Sequence, residues 1–148
     1  MAILDAQTLL SDAQAITADA VSTNTYDAGA TTPQRDIGGG EPLAVVITVD
    51  VAADATTGDE TYSFEVIQSA AANLGTPDVL IDRTVAAADL YAGAQVVIPL
   101  PPGAQTKRYL GLNYNVGGTT PTITCTAYIL PQNFAPQIKS YADGFTIS

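Results

Sequence analysis

From residue 43 onward, apolar and polar side chains trade places at every second position, a pattern suited to strands whose successive side chains point to opposite faces. In LAVVITVDV (43–51) the expected inward set is Val45, Ile47, Val49 and Val51, with Thr48 and Asp50 facing out. In TYSFEVIQ (61–68) it is Tyr62, Phe64 and Val66, against Ser63 and Glu65. RYLGLNYNV (108–116) puts Leu110, Leu112, Tyr114 and Val116 on one face and Tyr109, Gly111, Asn113 and Asn115 on the other. Further runs lie at 78–85, 94–100 and 122–130, and LGTPD, PPGAQTK and GGTTP supply the glycine and proline that turn the chain between strands. With one or two more strands within 14–29, the expectation is an all-β chain of seven or eight short antiparallel strands, a sandwich or jelly roll. Periodicity leaves the strand order open.

A chain of 148 residues is expected to form one domain, residues 1–148, able to bury roughly 70% of its unfolded surface without staples. The single cysteine, Cys125, excludes an intrachain disulfide, and its place in TITCTAYIL suits a small core hydrophobe better than a reactive thiol. With no histidine and no second cysteine, neither a zinc site nor a Ser-His-Asp or Cys-His centre can be assembled. Asp59 and Glu60 are adjacent in the loop AADATTGDE (52–60), where a solvated hairpin tip explains them better than a catalytic pair, since strand neighbours face opposite ways. The same loop lacks the ligand spacing of an EF-hand, and DIGGGEP (36–42) lacks the lysine, hydroxyl and helix of a P-loop. No enzyme, cofactor or metal is expected.

A net charge of −10 disfavours nucleic acid, whose affinity rests on neutralising phosphates with Lys and Arg. No membrane partner is expected either: the N-terminus carries no basic segment leading into an apolar one, and no apolar run approaches the ~18 residues of a membrane helix. The chain is expected to be made in the cytoplasm and to stay soluble there until it joins something. Two segments fall outside the alternation. Residues 1–13, with Ile3, Leu4, Leu9 and Leu10, read as an N-terminal arm that is helical for a turn or two or extended on a neighbour. Residues 131–148, with Phe134, Tyr141 and Phe145 among prolines, read as a C-terminal tail, leaving 14–130 as the sandwich. Such ends either fold back on their own domain or order on a partner.

Against fifteen acidic residues there are five basic ones, and two of these, Lys107 and Arg108, stand together after Pro-Pro-Gly and before a strand. They are either strand-entry charges or cations that meet carboxylates on another subunit. Tyr109 follows Arg108 at once, and Arg with Tyr is a composition favoured at interfaces, so the second reading is preferred.

The phrases LLSDAQAIT, VSTNTYDAG, GEPLAVVITVD and VIPLPPGAQTKRYLGLNYNV, in this order, resemble the capsid cement (decoration) proteins of tailed bacteriophages, from about residue 8 to residue 130. The resemblance implies a jelly-roll-like β protein on the outer surface of the mature capsid, clamping neighbouring major capsid protein subunits. The localisation would be the virion; the thin core and the apolar termini, for their part, suggest self-association as a homodimer or homotrimer. A carbohydrate- or receptor-binding sandwich of a virion appendage is the alternative, with Tyr62, Tyr109 or Tyr128 as stacking platforms.

Overall fold

The alternating runs become strands because each buries one apolar face against the opposite sheet. The computed structural model describes residues 7–30 and 42–132. Within them the order is β1 (Leu9–Ile16), β2 (Ala20–Val21), β3 (Tyr26–Asp27), β4 (Leu43–Val51), β5 (Thr61–Ser69), β6 (Asp78–Val85), β7 (Gln95–Leu100), β8 (Tyr109–Gly117) and β9 (Ile123–Pro131). A single 3-10 turn, Ala87–Asp89, lies between β6 and β7.

One sheet has the order β1-β9-β4-β7; the other runs β2-β8-β5-β6, with β3 also on β8, and all pairs are antiparallel. Counted as one interrupted strand, β2 and β3 make eight. The first strand then pairs with the last, the second with the next to last, and so inward to β5 with β6. That is one long hairpin rolled into two sheets, a jelly roll. Ser22 explains the interruption: its N–H donates to Leu112 O at 2.8 Å, while its Oγ, not a backbone carbonyl, accepts from Leu112 N–H at 3.1 Å.

The core between the sheets takes Val45, Ile47 and Val49 from β4, Tyr62, Phe64 and Val66 from β5, and Leu110, Leu112 and Tyr114 from β8, the faces expected from the alternation. Each such side chain contributes roughly 1.5–3 kcal/mol by leaving water. Phe64 meets Tyr114 edge to face, with centroids 5.9 Å apart, and the buried Tyr114 hydroxyl donates to Ser11 Oγ at 2.7 Å. Burial raises the Tyr114 pKa; it also pushes the Cys125 thiol up to about 12, with Asp50 adding to the effect, so Cys125 sits in the core as a neutral thiol.

Two expectations need correction, and one face carries more than the alternation indicated. Leu9 and Leu10 belong to β1 and not to an arm, and Leu10 is fully buried in the core. The alternation there is hidden by two register shifts against β9 and by Ala13, whose φ is 45°. Val51 does not face inward but is 59% exposed, because the β4–β9 register shifts between Val49 and Val51. Finally, the first sheet is apolar on both faces near Leu43: Ala44, Val46 and Leu130 form a second buried cluster, with Val97 and Tyr128 against it. The five consecutive apolar residues Leu43 to Ile47 were the available signal, since a strand buried on both faces reads as a continuous apolar run. Ile3, Leu4, Phe134, Tyr141 and Phe145 lie outside the described residues.

The two lateral edges of the sandwich differ. Along β1 and β2 the sheets are stitched: Asn24 N–H donates to Leu10 O at 2.9 Å, and Gln14 Nε2 donates to Val21 O at 2.9 Å. Along β6 and β7, Arg83 Nη1 reaches across to donate to Val97 O at 2.7 Å. Pro99 and this capped carbonyl blunt the free edge of β7, as edge strands require.

Candidate functional site

Lys107 and Arg108 lie at the end of the sandwich where β5 turns to β6 and β7 turns to β8. Their backbone is held before their side chains act. The nearly buried Gln68 accepts from Thr106 N–H at 2.8 Å and Lys107 N–H at 3.0 Å, and Gln105 Nε2 donates to Lys107 O and Arg108 O at 2.9 and 3.1 Å. The carboxylates the two cations meet belong to the same chain. Lys107 Nζ lies 2.7 Å from Asp78, at the start of β6. Arg108 forms a fork on Asp27, Nε to Oδ1 at 2.8 Å and Nη2 to Oδ2 at 2.9 Å. The β3–β8 register makes the fork possible by setting Asp27 opposite Tyr109.

The guanidinium also lies 4.9 Å from the Tyr109 ring centroid, a cation–π distance. Its hydrogen bonds to Asp27 raise the Arg108 pKa further, so it is charged at every working pH. Lys107, Arg108 and Tyr109 are therefore brought together as the sequence suggests, but around a partner from β3 that the sequence reading did not identify. A cleft of about 270 Å³ beside this clasp is lined, among the described residues, by Gln7, Thr25, Tyr26 and Asp27.

Above the same sheet, the connection after β5 folds back over Gly111. Leu74 takes a positive φ of 57° yet is almost fully buried, with a side-chain carbon that would stand 2.4 Å from a Cβ at position 111. The strained backbone costs about 1–2 kcal/mol, and burial of the leucine offsets it.

At the opposite end, the β4–β5 loop clasps the β8–β9 loop without any cation among the described residues. Asp59 accepts from Thr119 N–H at 3.0 Å and Thr119 Oγ1 at 2.9 Å. Glu60 turns back on its own loop, accepting from Thr57 N–H at 3.0 Å and Gly58 N–H at 2.8 Å, with Thr57 Oγ1 also bonded. The Tyr62 hydroxyl, deep between the loops, bonds Asp54 O at 2.8 Å and Thr122 O and N–H at 3.2 Å each. The bonds from Thr119 hold Asp59 below the usual carboxylate range, and those from Thr57 do the same for Glu60. Asp59 and Glu60 thus point to different partners, Thr119 on the facing loop and the Thr57–Gly58 turn of their own loop. Gly118 makes the approach possible: its φ is 92°, and a Cβ would come within 2.4 Å of Asp59 O.

The tyrosines considered as stacking platforms do not share a surface. Tyr62 is in the core, Tyr109 is on the second sheet with Arg108 over its ring, and Tyr128 packs beside Val46 on the outer face of the first sheet. Among the described residues, no three Cys, Asp or Glu side chains gather as metal ligands, and no helix is long and apolar enough to cross a membrane.

The class is therefore a jelly-roll β-sandwich whose loop hydroxyls, amides and carboxylates are largely engaged in fastening its own connections. A family model described as Bbp16 matches residues 10–129, from β1 to β9, and the chain belongs to the Bbp16 family. Comparison with curated proteins found no match.

Proposed function

We propose that this chain is a capsid cement protein of a tailed phage, which binds the outer surface of the mature shell and clamps neighbouring major capsid protein subunits. The observation that carries this reading is mechanical. Both ends of the sandwich are locked by cross-loop bonds, Asp27–Arg108 and Lys107–Asp78 at one, Asp59–Thr119 and Tyr62–Thr122 at the other. A clamp needs such a body, because a surface that is already ordered gives up little further entropy on binding. The resemblance of four ordered segments to phage cement proteins supports the same reading.

The mechanism is mass action. A protein that binds only the mature shell stabilises it by RT ln(1 + [L]/Kd), about 2.7 kcal/mol per site at a hundredfold excess over Kd. Self-association as a homodimer or homotrimer would add avidity by engaging several subunits together. Cosedimentation of the purified protein with mature, expanded capsids tests this: saturable binding, with a higher temperature of shell disruption, is expected. Failure to cosediment with capsids of any maturation state overturns the reading. Retention on a glycan array in that case would favour the appendage module.

A further inference from the structure

We propose that the sandwich docks through the end bearing Val51 and Tyr91, and that the surface receiving it is an apolar pocket with a basic rim on the major capsid protein. The partner's identity rests on the cement reading; the docking end rests on the geometry alone. Segments 49–53 and 90–94 lie side by side, joined by Val49 N–H to Ala94 O at 2.9 Å, Gly93 N–H to Val49 O at 2.8 Å and Ala53 N–H to Leu90 O at 2.9 Å. Leu90 is fully buried and anchors the second segment in the core, while its neighbour Tyr91 is 63% exposed. Val51 is turned outward by the register shift on β4. Two of the large apolar side chains left exposed thus come from two hydrogen-bonded segments, whereas Val21 and Val79 stand on separate strands of the second sheet.

Charge complementarity selects the partner. Asp50, Asp54 and Asp89 lie in or beside the two segments, and Asp19, Asp59 and Glu60 occupy neighbouring loops of the same end. Hydrogen bonds satisfy several of these carboxylates but leave their charge: Thr126 donates to Asp50, Val116 N–H to Asp19 and Thr119 to Asp59. The described cations are elsewhere, Arg83 on Val97, Lys107 on Asp78 and Arg108 on Asp27. An exposed tyrosine on an end that carries these carboxylates, with no described cation paired to them, fits an apolar pocket edged with Lys and Arg, and it repels phosphate-rich surfaces.

The test is a binding titration on expanded capsids at low and high salt, using wild type, Tyr91→Ser, Asp50→Asn with Asp89→Asn, and Lys107→Ala with Arg108→Ala. Tyr91→Ser is expected to melt within about 2 °C of wild type, since the ring is exposed, and to bind at least about tenfold more weakly. The asparagine pair is expected to bind more weakly at low salt and to flatten the salt dependence. The Lys107/Arg108 variant is expected to bind as wild type does. If wild type binds while Tyr91→Ser and the asparagine pair both match it, the docking end is wrong and the cement reading survives. If the wild type does not bind capsids at all, the cement reading fails and takes this partner with it.

Discussion

At the end of the sandwich that holds Lys107 and Arg108, each cation is matched to a carboxylate, Asp78 and Asp27. At the other end, Asp59 and Glu60 are matched to threonine hydroxyls and backbone N–H groups. Both ends fasten loops that are distant in sequence. Among the described residues, only the first neutralises its charge with cations. A hydrogen bond from a neutral donor removes the cost of an unpaired carboxylate but leaves the negative charge for a partner to feel. The contrast separates a closed end from one that remains electrostatically addressed.

The largest test of the contrast is Gly118→Ala. The new Cβ would collide with the Asp59 carbonyl at a positive φ, so the clasp must open, and a loss of about 2 kcal/mol or more is expected in urea unfolding. An unchanged midpoint would show that the acidic end is not held by this close approach.

Replacing Lys107 and Arg108 together by alanine is the counterpart at the other end. These pairs are about a third or more exposed, so solvent screens them, and the melting temperature is expected to fall by less than about 4 °C. A larger fall would mean that the fork on Asp27 fixes β3 to the sheet, as the β3–β8 register allows.

The smallest effect is in pH. The folded-state pKa values of Asp59 and Glu60 are depressed, so their contribution is present above ordinary carboxylate values of about 4 and is lost as pH falls through the depressed values. Acid titration of stability is therefore expected to be shallower below pH about 4 in Asp59→Asn with Glu60→Gln than in wild type. An identical slope would place the acid-sensitive groups elsewhere.

Residue by residue, the faces of β4, β5 and β8 were legible because side-chain direction in a strand depends only on position parity. Val45, Phe64 and Leu112 needed no knowledge of their neighbours to be placed inside. Leu10 was not legible, since two register shifts and the positive φ at Ala13 break that parity within β1. Val51 failed for the same reason, at a register shift that the sequence does not mark.

The sequence by itself determined an all-β chain, the inward faces of its regular strands, the hairpin loops and an excess of negative charge, all properties of neighbouring residues or of simple sums. Tertiary structure alone decided the rest. Asp27 and Arg108 are 81 residues apart, Asp59 and Thr119 are 60 apart, and Val51 and Tyr91 come from different connections. What joins them is the rolled hairpin, which pairs the first strand with the last and so sets loops from both halves of the chain against one another. Strand order depends on which sheets bury which faces together, and no local period records that.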